Sequence, residues 1–444
     1  MKKWLTKATD AVATIRKTEP REGDKAVAFS TAPVGSQKIH DLPPSQKLDL
    51  IVVPQSAIDA IDDAPHLLCK AVVDYVNHLV HVGQYTRSEL PNEAMQIFHA
   101  DYYCAQVLNG GHAQFVGNAG SELSKTLQDV MSGAMEMGHD GYHKIVSEMA
   151  SWIAKNPRKA LVQTGFTDGI SEELAALDAP FFDLNNAGSF QSVLAGWIVD
   201  LEIVLAVPDA QLPLVYEGIL LMNGKAAPRE TARDIARYDH MLTDPLHLGL
   251  AHTGGSNKDP LIGISDGTQM EVKGRAMTCW LVHTPGGKRW GVINASGTAL
   301  MEYIPGSNES LDEDISETTV ADMETYESPK VGNLIASVSQ DQINVARQVA
   351  INTKAAAAIE LLLGSLDQQI SVDCLSVRSA GRGKGDLIGT SIYVVFDGGK
   401  GVFTALVTSE GAKLLEEPTH KVLASVTRAE IDAHASSYTM PAAA

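Results

Sequence analysis

Asp101-Tyr102-Tyr103-Cys104-Ala105-Gln106-Val107-Leu108-Asn109-Gly110-Gly111-His112-Ala113-Gln114-Phe115-Val116-Gly117-Asn118-Ala119-Gly120 decides how the first half of this 444-residue chain folds. Its apolar residues recur at three-four spacing up to Leu108, the period of a helix with one buried face. Asn109-Gly110-Gly111 then stops that helix, because two glycines reach left-handed backbone conformations at little cost. A new helix begins at once and turns Phe115 inward. Gln114, Asn109 and Asn118 are placed to bond the backbone groups freed at the break.

The helical period extends on both sides. Leu67, Leu68, Ala71, Val72, Tyr75, Val76, Leu79 and Val80 form a continuous stripe, and Pro91-Asn92-Glu93 opens the helix that ends at Asn109. Further helices are expected at 121–137, 141–155, 171–178, 189–206 and 209–222, so residues 49–225 read as an all-α domain. Eight bases and 22 acids give that domain a charge of −14. Such a surface repels nucleic acid and attracts basic partners. Residues 1–48 carry nine bases and five acids, or +4, and read as a basic arm with a short amphipathic helix and a linker.

The Asn-Gly-Gly segment resembles the signature of the bacterial DNA-mimic-protein family. The quoted residues that match are Asn109, Gly110, Gly111, Gln114, Phe115 and Asn118. A second piece of the pattern, Leu-Asp before paired aromatics, is matched by Leu177-Asp178-Ala179-Pro180-Phe181-Phe182. Family members carry larger aromatics where this chain has His112 and Val116. The resemblance spans about 170 residues and implies a helical domain; one member type resembles DNA by surface charge and occupies a DNA-binding regulator, and related domains occur among toxin-immunity genes. It says nothing of the remaining chain.

Beyond residue 225 the period changes. Residues 226–258 read as a connecting helix (Arg229 to Met241) and a polar loop ending in Gly254-Gly255-Ser256. Residues 259–444 then read as α+β. Thr278–His283 and Arg289–Ile293 form a hairpin across Pro285-Gly286-Gly287. Ser391–Phe396 and Val402–Val407 repeat the plan across Gly398-Gly399-Lys400. Each pair is followed by a Gly turn (Ser296-Gly297, Glu410-Gly411) and an apolar step ending in Glu. We therefore expect two similar β-meander units, with one long helix Asp341–Leu363 between them and a shorter one, Thr427–Ala435, closing the second. Between the copies, 309–327 holds eight acids and no base, a solvated loop.

Chemistry-bearing patterns are sparse. The four cysteines (69, 104, 279, 374) lack C-x-x-C spacing and read as buried hydrophobes of a reducing cytoplasm. His139 and His143 share a helical spacing, but Gly138 and Gly141 intervene and H-E-x-x-H is absent, so no metal is expected. Gly381-Arg382-Gly383-Lys384-Gly385-Asp386 lacks the phosphate-loop frame. No window is long and apolar enough for a membrane helix, and no cofactor motif is present. The expectation is a cytoplasmic, non-catalytic binding protein of regulatory, inhibitor or immunity type, able to form a homodimer, with a basic protein partner. The rival expectation is an enzyme acting on an anionic small molecule at the junction of the two β units, through Lys288, Arg378, Lys384 or Lys400.

Overall fold

The computed structural model describes residues 47–164, 170–272, 274–306, 328–382 and 387–438. Nearly all of the basic arm, the whole acidic loop 309–327, and Lys384 lie outside them. The described chain divides into two compact units, meeting at Ala227 and Pro228.

The first unit opens with strand β1 (Ile51–Pro54), followed by helices α1 (Gln55–Asp59), α2 (Pro65–His81), α3 (Asn92–Ala119), α4 (Leu123–Glu136) and α5 (Asp140–Lys155). The short α6 (Pro157–Ala160) and α7 (Glu172–Ala175) precede α8 (Asp178–Ala187) and α9 (Phe190–Asp200). Strand β2 (Val204–Val207) and helix α10 (Leu212–Leu221) complete it. The helices surround one core in which Leu68, Val72, Leu79, Ile97, Val107 and Phe115 are wholly buried. The expected stripe of α2 faces inward, with Leu68, Ala71, Val72, Tyr75, Val76 and Leu79 buried.

Two features depart from the expected elements. β1 pairs in parallel with β2, Ile51 opposite Val204 and Val53 opposite Ala206, so the helix expected over 189–206 ends at Asp200. A short apolar run does not distinguish strand from helix by period; the partner strand decides it. The segment expected at 171–178 is two helices, broken at Ala176-Leu177 so that Asp178 begins a new one.

The second unit holds α11 (Ala226–Thr243) and α12 (Pro245–Ser256), then the antiparallel sheet β3 (Gly263–Val272), β4 (Arg275–Thr284), β5 (Gly287–Asn294), β6 (Gly297–Ile304) and β7 (Lys330–Ser339). Helices α13 (Gln340–Thr353) and α14 (Ala355–Gly364) lead to the second antiparallel sheet. Its strands are β8 (Val372–Arg382), β9 (Ile388–Phe396), β10 (Gly401–Thr408), β11 (Gly411–Glu416) and β12 (Val422–Thr427), and α15 (Arg428–Ser437) closes the unit. Each sheet runs in sequence order.

The two sheets are similar in detail. In both, the fourth strand starts at a glycine with positive φ (Gly297 at 140°, Gly411 at 157°) paired with the last residue of the fifth strand, Ser339 or Thr427. That residue caps the next helix in a reciprocal box, Ser339 with Gln342 and Thr427 with Glu430. In both, the first N–H of the helix donates to the residue before the glycine: Gln340 to Ser296, and Arg428 to Glu410.

The structure corrects two expectations here. The long helix Asp341–Leu363 is two helices, broken at Lys354, whose backbone is left-handed (φ 53°, ψ 47°). Lys354 Nζ lies 2.7 Å from Asp432, and Arg428 donates to the carbonyls of Asn352 and Thr353, so contacts from α15 hold the break. The first half packs on strands of both sheets, β6 to β9, and the second on β10 to β12. The supposed polar loop before Ser256 is α12, whose Leu248 to Gly255 are buried between β6 and β8. Thr253 Oγ1 meets Thr298 Oγ1 at 2.7 Å, and His252 Nδ1 meets the Val377 carbonyl at 2.9 Å. Its start was legible, since Asp244 before Pro245 caps the His247 N–H at 2.8 Å.

Candidate functional site

The two pieces of the quoted motif come together. Gly110 (φ −155°, ψ 25°) and Gly111 (φ 76°, ψ −177°) leave helical geometry inside α3. The conformation of Gly111 is nearly closed to other residues, and a Cβ there would lie 2.4 Å from the Asp178 carboxylate. Asp178 accepts from the His112 backbone N–H at 2.9 Å and from His112 Nδ1 at 2.6 Å. On its other side His112 Nε2 accepts from the Tyr103 hydroxyl at 2.9 Å. Burial pushes the Tyr103 phenol well above its ordinary value, so it stays a donor. The break in α3 is thus fastened to the first turn of α8.

Around this fastening, Tyr103, Phe115, Phe181, Tyr142 and Phe190 pack edge to face or tilted, with centroids 4.8–6.0 Å apart. Phe181 is wholly buried, whereas Phe182 is exposed. Gln114 and Asn118 do not bond the freed backbone as expected. Both donate to Gln106 Oε1, at 2.9 and 2.7 Å, and Asn109 is exposed. Gln106 and Tyr103 escaped notice because their partners lie across the break, where helical spacing no longer tells which side chains meet. His112, a departure from the family pattern, is a buried link where an aromatic alone would only fill space. These residues hold the fold together.

The outer surface of the unit carries its charge. Of its 22 acids, sixteen of those among the described residues are exposed. Ion pairs among the described residues engage three of the sixteen: Asp74 with Lys70, Glu122 with Lys125, and Glu148 with Lys144. A second polar group lies inward. The buried Asp129 carboxylate takes both guanidinium nitrogens of Arg87 and the ring of His99, 2.6 Å away. Burial alone would raise the Asp129 carboxyl, but these bonds outweigh it and hold it below the usual range. No sequence motif joins Arg87, His99 and Asp129. The capping box from Thr86 to Glu89 beside them was the only local signal.

In the second unit the expected anion-binding bases lie on different elements. Lys288, on β5, lies over the Tyr303 ring at 5.7 Å. Arg378, on β8, lies over Tyr393 at 5.6 Å. Lys400 is exposed in the β9–β10 turn, and Lys384 is outside the described residues. His139 caps α5 toward Tyr142, while His143 Nε2 is 3.5 Å from Ser147. Among the described residues no group of three or more ligating side chains is placed to hold a metal. All four cysteines are buried and unbridged, and no described helix is long and apolar enough to cross a membrane.

These features define a helical domain with a negatively charged exterior and an interlocked aromatic core. Residues 88–200 match the family model described as DMP19-like protein, so the helical unit contains a DNA-mimic-like domain. The match covers the break in α3, the fastening to α8 and all of α9. No curated protein and no solved structure matches the chain.

Proposed function

We propose that the helical unit works as an acidic decoy for the DNA-binding face of a basic protein, a regulator or a toxin of nucleic acid. The observation that carries this reading is exposed acidity: sixteen surface acids on the unit whose residues 88–200 match the DMP19-like model. Unpaired surface carboxylates attract a basic groove at long range and are screened by salt. The fastened core keeps the carboxylates on rigid helices, which limits the ordering cost on binding. The protein acts in the cytoplasm, alongside such partners. The second unit, which we read as an internal duplication, supplies a second surface or a dimer interface.

The test is capture from native lysate with the full chain as bait, at low and high salt, with duplex DNA as competitor. A basic DNA-binding protein retained at low salt, and displaced by either salt or DNA, supports the decoy. The quadruple variant Asp62→Lys, Asp63→Lys, Glu172→Lys, Glu173→Lys, all exposed positions, should lose that partner. Retention that ignores DNA and charge reversal would sink the idea.

A further inference from the structure

The helical unit contains a cleft of about 370 Å³ that the decoy reading does not use. It opens between α2, α3 and the start of α4. Val76, Val80, Met95 and Phe98 form apolar walls, and Arg87, His99, Glu122 and Lys125 supply the polar groups. Its size falls in the range of sites for small molecules, and the combination of apolar walls with few polar groups is typical of them.

The charge distribution is unusual for this unit. Two of its eight bases, Arg87 and Lys125, converge on one cleft. Asp129 sits behind His99 and Arg87, with 8% of its side chain exposed, and fixes both. A carboxylate accepts, so His99 Nδ1 donates to it, and the opposite ring nitrogen is left for the cleft that His99 lines. The guanidinium has five N–H donors, of which Asp129 takes two. Arg87 remains 43% exposed at the side chain. Lys125, 68% exposed and 3.4 Å from Glu122, completes a rim that is rich in donors. A fixed imidazole and a fixed guanidinium beside an apolar pocket recognise a flat anionic head on an apolar body.

We infer that this cleft binds a small amphipathic carboxylate, its head between Arg87, His99 and Lys125 and its hydrocarbon part between Val76, Val80, Met95 and Phe98. Asp129 takes two guanidinium donors and the Nδ1 donor of His99, which leaves three guanidinium donors of Arg87 and the Lys125 ammonium, shared with Glu122, to receive an anion at the rim. Glu122, held by Lys125, would exclude a dianion better than a monoanion.

Titration calorimetry on the full chain tests this with 4-phenylbutyrate and its neutral analogue 4-phenylbutan-1-ol. The acid should bind with a Kd on the order of 1 mM or tighter, and the alcohol roughly tenfold more weakly. Lys125→Glu, at an exposed position, should weaken the acid roughly tenfold without moving the alcohol. Val80→Phe should abolish both, with far-UV circular dichroism confirming the fold; if that variant does not fold, the Lys125→Glu comparison decides. Equal affinity for acid and alcohol, indifference to Lys125→Glu, or no heat from either compound overturns the assignment. The decoy reading does not depend on any of these outcomes, since capture of a basic partner uses the outer acids.

Discussion

Two Gly-Gly pairs occur in helical settings of this molecule and meet opposite fates. Gly110-Gly111 breaks α3, whereas Gly254-Gly255 stays within α12 up to its last turn. Both pairs are buried or nearly so, and both forbid a side chain. What differs is the neighbour that occupies the missing Cβ. At Gly111 it is the Asp178 carboxylate at 2.4 Å, which also binds the next N–H and so draws the backbone out of the helix. At Gly255 it is the Val377 carbonyl oxygen at 2.5 Å, and at Gly254 the Asp259 carbonyl oxygen at 2.6 Å. There the helix keeps its own bonds and uses the absent side chains to press against β8 and the following loop. Glycine permits both outcomes; the partner selects one.

The comparison can be broken at its anchors. Phe181→Ala should have the largest effect, because it empties the centre of the aromatic cluster behind the α3 break; a loss of about 3–5 kcal/mol is expected in urea unfolding followed by circular dichroism. Gly111→Ala comes next, at about 3 kcal/mol, from a backbone conformation that alanine avoids and a collision with Asp178. If Gly111→Ala is instead neutral, the break is not held by Asp178.

Gly255→Ala sharpens the other side. Alanine favours a helix by about 1 kcal/mol over glycine, while overpacking against Val377 costs about 1–3 kcal/mol. The net expectation is a small loss, near 1 kcal/mol, and a stabilised protein would show that α12 has room to spare. Asp178→Asn retains an acceptor for the His112 N–H, so its effect should be about 1 kcal/mol, well below that of Gly111→Ala.

The smallest effect concerns the dryness of the two settings. Burial pushes the Cys104 thiol near the broken helix, and the Cys374 thiol beside α12, up to about 12. The reactive thiolate is then absent near pH 8. Native protein should leave both unlabelled by a thiol reagent in mass spectrometry, and urea should expose them. Rapid native labelling of Cys374, 3.4 Å from His247 Nε2, would show that the packing around α12 opens.

The aliphatic stripe of α2, the stop at Asn109-Gly110-Gly111 and the paired hairpins were all legible in the sequence. Each rests on bonds within a few residues, or on a period that one buried face imposes. The acidic charge was legible too, because counting needs no coordinates, and so was the resemblance carried by Asn109 to Phe182. Tertiary structure alone decided the rest. The pairing of Ile51 with Val204, the burial of α12, the break at Lys354 and the meeting of Arg87, His99 and Asp129 all join residues distant in sequence. Their energies come from partners that no local window contains. Sequence therefore marked where the chain is free to bend, and packing determined whether it did.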